Sequence, residues 1–114
     1  MGKIGGNTTA LIQTKDNAAK NAIGESLPAW KDTKELHGWL DYQAGDSKHT
    51  NFNAKIQEST HVFVADYFDY RGMNLRPENS RMNIFGELYE ILLYDDPMEL
   101  HQQVEIYLKY IGGR

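Results

Sequence analysis

The stretch "LYEILLYDDPMELHQQVEIYLKYIGG", residues 88–113, admits two readings, and the choice between them sets the fold. Read as a helix, Asp96 is an N-cap, Pro97 the first helical residue, Glu99 the reciprocal partner of a capping box and Gly112 the stop. Leu100, Val104, Leu108 and Ile111 then share one face. Read as the far arm of a β-hairpin, Val104, Ile106, Leu108 and Tyr110 alternate with Glu105, Tyr107, Lys109 and Ile111. Periodicity alone leaves both standing, so the rest of the chain has to weigh in.

Upstream, the strand signals accumulate. Residues 1–7 are Gly-rich and read as a flexible lead-in, with a single domain over residues 8–114. "TTALIQT" (8–14) is a β-branched strand candidate, and residues 15–29 are a loop punctuated by Gly24 and Pro28. "WKDTKELHGWLDY" (30–42) places Leu36, Gly38, Leu40 and Tyr42 on one face, and Gly38 predicts a bulge or a close neighbour. "STHVFVADYF" (59–68) carries Thr60, Val62 and Val64 on one face and Phe63, Ala65 and Tyr67 on the other. Apolar residues on both faces predict a strand buried on two sides, or one with one side in a partner. "RMNIFGELYEILLYD" (81–95) predicts a hairpin turning at Gly86-Glu87. The fold class is therefore mainly β: a small β-barrel of about six antiparallel strands with long loops and at most a short helix. That context favours a strand after Asp96.

Composition narrows the function classes. The 114 residues contain no cysteine, which removes disulfides and thiolate metal sites. Twelve Lys and Arg stand against sixteen Asp and Glu, and the cations are scattered, which argues against a protein that grips nucleic acid through phosphate neutralisation. No apolar run is long enough to span a bilayer as a helix, and no membrane partner is expected. His37, His49, His61 and His101 lack zinc-site spacing; His61, at the start of a strand, reads as a strand-surface residue.

Asp95, Asp96, Glu99 and His101 fall within seven residues, a grouping that suits acid–base or metal chemistry. The plainer reading is a turn that Asp-Asp-Pro initiates, with Asp96 bonded back to backbone. No nucleophile elbow or phosphate loop accompanies it, so neither catalysis nor a cofactor is expected. Trp30 and Trp39 are core side chains by default and interface anchors in the alternative. Tyr70, Met73 and Leu75, on the loop 69–80, are either tucked under it or offered to a partner.

The segment "NLRPENSRMNIFGELYEILLYDDPMELHQQVEIYLKYIGG" (74–113) resembles the small head-closure proteins of tailed phages, also called head–tail connector or stopper proteins, as found in siphophages and prophage-like elements. The likeness rests on the Asn-x-Arg loop, the Gly86-Glu87 hairpin, "YEI" entering a strand, the "DDP" turn and "VEIYLKYIGG" as the last strand. Trp30, "LHGWLDY" and "STHVFVADY" follow the same order upstream, so the resemblance spans about residues 10–113. It implies a turn at Asp-Asp-Pro, with one helical turn over residues 97–102 and then a strand, residues 104–111, paired with residues 88–94.

The resemblance also implies a structural, non-enzymatic virion protein. Such a protein forms a homo-oligomeric ring at the virion neck, with the portal adaptor above and the tail-completion protein below. It is made in the bacterial host cytoplasm, touches packaged DNA transiently, closes the channel after packaging and offers the docking surface for the tail. Strand addition or loop exchange between subunits would supply main-chain hydrogen bonds. The polar connection 43–57, with Asp46, Ser47, Lys48, His49, Thr50, Asn51 and Lys55, takes the part of a lumen-facing plug. Val62, Val64, Tyr70, Met73, Leu75, Arg76 and Tyr107 are the candidate interface. The alternatives are a tail-completion or neck protein of the same virion, a non-viral small β-barrel binding module, and an enzyme using the carboxylates of 95–101. A single-strand nucleic-acid module would need aromatics flanked by cations on one sheet face, and only Tyr70–Arg71 and Tyr107–Lys109–Tyr110 approach that pattern.

Overall fold

The computed structural model describes residues 6–15, 29–42 and 59–113. They form a closed six-stranded antiparallel β-barrel with no substantial helix. Its strands are β1 (Thr8–Lys15), β2 (Trp30–Tyr42), β3 (His61–Asp66), β4 (Ser80–Ile84), β5 (Glu87–Asp95) and β6 (Gln103–Gly113), in the order β1-β2-β3-β6-β5-β4 around the wall. With β4 beside β1, the first four strands make a Greek key. The ambiguous C-terminal stretch is thus a strand, and β6 pairs with both β3 and β5.

Period-two alternation divides the wall into two surfaces. Ile12, Phe63, Met82, Ile91, Val104, Ile106 and Leu108 point inward and are completely or almost completely buried. Among the described residues each strand has a neighbour on both sides for at least part of its length, and residues 30–37 of β2 pair with β1 alone.

β2 does the cornering. Its first part, up to Gly38, pairs with β1, and from Gly38 onward it pairs with β3. A Cβ at Gly38 would collide with the Val64 carbonyl oxygen and lie 3.0 Å from the Phe63 ring. The close neighbour that Gly38 signalled in the sequence is therefore the backbone and ring of β3. Gly6 packs against Gly38 from the other side with no room for a Cβ, so the end of the Gly-rich lead-in lies against the wall; residues 1–5 lie outside the described residues.

The β4–β5 hairpin turns one residue earlier than the sequence predicts. Ile84 pairs with Glu87, and the two loop residues are Phe85 (φ 54°) and Gly86 (φ 84°). Positive φ at both positions is the type I′ turn whose twist matches the flanking strands. Asn83 supports it by accepting the Gly86 N–H on its side-chain oxygen at 2.9 Å.

Loop 67–79 closes one end of the barrel with its own side chains. Tyr70 stacks on Tyr94 at 5.1 Å between ring centres, and Leu75 is buried beside it. Beneath them Ser80 Oγ donates to the Arg76 carbonyl at 2.6 Å and accepts from the Tyr94 hydroxyl at 2.9 Å.

Burial pushes the Tyr94 phenol up to about 12, while its bond to Ser80 pulls the other way. The fold holds the neutral phenol, so this contribution is complete below the ordinary tyrosine value near 10 and is lost as pH rises from there towards 12. The full loss is on the order of 2 kcal/mol. Tyr94→Phe should cost about 1 kcal/mol at neutral pH, because Ser80 keeps its bond to Arg76. Urea unfolding at about pH 8 and about pH 11 should show the gap between wild type and variant closing at the higher pH. A gap that stays constant would contradict the buried neutral phenol.

Candidate interaction face and clasped turn

The outer wall over β2, β3, β6 and β5 carries an apolar stripe. Register places Trp39 opposite Val64 and Val64 opposite Glu105; one row over, Val62 lies between Asp41 and Tyr107, and Tyr107 meets Leu93. Val62, Val64, Leu93 and Tyr107 are half-buried and Trp39 is 44% exposed. Three members of the sequence-derived interface, Val62, Val64 and Tyr107, therefore come together on one surface. Trp39 belongs there too. Its phase, opposite to Leu36, Gly38 and Leu40, was the available signal, and its 44% exposure corrects the default reading of this tryptophan as core. Leu93 escapes simple alternation because Leu92 bulges out of register, and Leu92 is itself buried.

Two other members of that interface are core. Tyr70 and Leu75 are 3% and 4% exposed, because the barrel end they cover needs apolar filling. That corrects their reading as partner contacts. Met73 and Arg76, on the same loop, are exposed, and the Arg76 guanidinium meets Glu78 at 2.8 Å. The residues of the proposed plug, Asp46, Ser47, Lys48, His49, Thr50, Asn51 and Lys55, lie outside the described residues.

The stripe is edged by carboxylates. Glu105 accepts from Gln103 Nε2 at 2.8 Å and from the Tyr107 hydroxyl at 3.0 Å. Burial and the Glu105 charge together raise the Tyr107 phenol well above its usual range. Asp95 faces Glu105 across β5 and β6, and burial first, then Glu105 and Asp96, push its carboxyl up.

The turn between β5 and β6 is built differently from the capping box that the sequence suggested. A short 3-10 turn spans Pro97–Glu99, but Asp96 makes no side-chain cap bond to it. The Asp96 carboxylate, 1% exposed, instead accepts from the His101 backbone N–H at 3.0 Å and from His101 Nδ1 at 2.6 Å. The His101 ring in turn stacks on Tyr67 at 4.5 Å. This clasp holds Met98, Glu99 and His101 at φ near +55°, which costs a non-glycine residue of order 1 kcal/mol each. Met98 and Leu100 project from it, 86% and 56% exposed. Asp96 bonding back to backbone is the turn reading of Asp-Asp-Pro.

The remaining candidates separate. His61 faces inward with Phe63 and Ala65 rather than lying on the outer surface of its strand. It sits edge-on to Tyr42 and Tyr89 at 5.5 and 5.2 Å, with Nδ1 2.9 Å from Thr60 Oγ1, and burial lowers its pKa. Trp30 lies under the Arg81 guanidinium at 4.3 Å, and Arg81 Nε donates to Gln13 at 2.8 Å. Tyr107 faces outward while the Tyr110 ring packs on Tyr89 at 5.4 Å, so the Tyr107–Lys109–Tyr110 group does not share a face. Among the described residues no group of three or more His, Asp and Glu is placed to hold a metal ion. No family model matches the chain, and no curated protein matches it.

Asp96→Ala should lower stability by about 1–2 kcal/mol, since it removes both His101 hydrogen bonds to a buried carboxylate, a loss that relief of the left-handed backbone offsets only in part. Denaturant unfolding together with the His101 ring resonances checks this. A wild-type midpoint in Asp96→Ala would contradict the clasp.

Proposed function

We propose that the protein is a small β-barrel binding module, not an enzyme, that docks on another protein through the outer face of β2, β3, β6 and β5. The observation that carries this reading is the Trp39–Val64 and Val62–Tyr107–Leu93 stripe, which lies outside a barrel whose core is already complete. Large aromatic and aliphatic side chains on an outer wall are what interface centres use. The projecting Met98 and Leu100 add a second apolar feature, at one barrel end.

A specific setting comes from the resemblance of residues 74–113 to phage head-closure proteins: a ring between portal adaptor and tail that closes the DNA channel and receives the tail. This second reading is favoured by the Asp-Asp-Pro turn followed by a strand paired with β5, the arrangement the resemblance implied. A ring needs heterologous contacts that close on themselves, and wall side chains can supply them without strand exchange.

The test uses DNA-filled, tailless heads that carry portal and adaptor and lack this component. Co-sedimentation stoichiometry and DNA retention are measured together, for wild type and for the double variant Trp39→Ser/Val62→Ser. Saturable binding at one ring number with leakage stopped, and lost in the variant, is the expected result for head closure through the stripe. Binding to free tails in place of heads would move the protein to tail completion. Binding to neither would overturn the neck setting, and binding unchanged by the variant would overturn the stripe.

A further inference from the structure

The stripe carries one sign of charge. Its two rows run Trp39–Val64–Glu105–Asp95 and Asp41–Val62–Tyr107–Leu93 across four strands, with three carboxylates and no lysine or arginine. Asp95 and Glu105 stand directly opposite each other, a cross-strand arrangement that like charges destabilise. Glu105 is already served by Gln103 and Tyr107. No hydrogen-bond donor or cation among the described residues contacts the Asp95 carboxylate, and burial and its neighbours penalise its ionisation.

We propose that this face takes a cationic protein segment: arginines, flanked by apolar side chains, set against Asp95, Glu105 and Asp41. The inference rests on the docking reading above and names the chemistry of its partner. An arriving guanidinium relieves the Asp95–Glu105 repulsion, and seated in a partly desolvated contact it gains more from the pair than it would in water. Arginine suits the site better than lysine, because its planar fork pairs with a carboxylate while its face lies on an aromatic ring, and Trp39 and Tyr107 stand in the same two rows. The apolar flanks cover Val62, Val64 and Leu93. A phosphate backbone would be repelled by the same three carboxylates.

The test titrates the isotope-labelled full chain with three acetylated, amidated peptides, Leu-Arg-Leu-Arg-Leu, Leu-Ser-Leu-Ser-Leu and Leu-Glu-Leu-Glu-Leu, and follows amide and indole resonances. The expected result is saturable shifts at Trp39, Val62, Val64, Glu105 and Tyr107 with the arginine peptide alone, weakened by added salt. Asp95→Asn/Glu105→Gln, checked for an intact amide spectrum, should weaken that binding about tenfold or more. Shifts of the stripe by the serine peptide as strongly as by the arginine peptide would leave the docking face standing and overturn the cationic partner. Shifts on dilution without peptide would identify a second copy as the occupant, which also overturns it. No shift of the stripe with any peptide would overturn both the inference and the docking face.

Discussion

The close approach of β2 and β3 at Gly38 is the contact on which the rest of the structure depends. One strand has to leave β1 and take up β3, and it does so where the missing side chain lets the Val64 carbonyl and the Phe63 ring come within contact distance. That single handover joins the β1–β2 and β3–β6 pairings into one wall, which β4 and β5 then close. Closure in turn makes the inward and outward sides of every strand unambiguous. Phe63, whose ring lies against Gly38, is completely buried at the centre of the core.

Once the wall closes, function has few places to live. The interior is filled with aliphatic and aromatic side chains, and each described strand has a neighbour on either side for at least part of its length. Outer side chains and the two ends remain. At one end, Tyr70 and Leu75 plug the mouth while the Asp96–His101 clasp holds a strained turn with Met98 at its tip. On the wall, alternation presents Val62, Val64 and Tyr107 in adjoining rows with Trp39. The acidic edge arises from the same geometry, since the register that aligns the stripe also sets Asp95 against Glu105. The stripe, the charge and the clasp are thus consequences of one closed register.

Most of the strands were legible because their two-residue period is strong. Residues 30–42 were bounded correctly by the Trp-to-Tyr run, and Gly38 announced its neighbour. The C-terminal choice between helix and strand was undecidable locally, since Asp96, Pro97 and Glu99 do mimic a helix start. Pairing with β3 and β5 settles it, a tertiary constraint that no window of sequence contains. The hairpin was misplaced by one residue because Phe-Gly is an uncommon type I′ pair and gives no Asn-Gly signal. Tyr70 and Leu75 were unreadable for a related reason: on a loop there is no period to say which side chain turns inward. The stripe itself was half visible. Alternation pointed to Val62, Val64 and Tyr107, while the bulge at Leu92 hid Leu93, and the facing of Asp95 and Glu105 needs the register of two strands.

The measurement that bears most directly on this account is the unfolding free energy of Gly38→Ala by denaturant titration, with Lys31→Ala on the exposed side of the same strand as control. The corner predicts a loss of about 3 kcal/mol or more for Gly38→Ala and a change within about 0.5 kcal/mol for the control. A Gly38→Ala variant as stable as the control would mean that β2 does not turn against β3 at that point, and the barrel closure from which the outer face follows would fall with it.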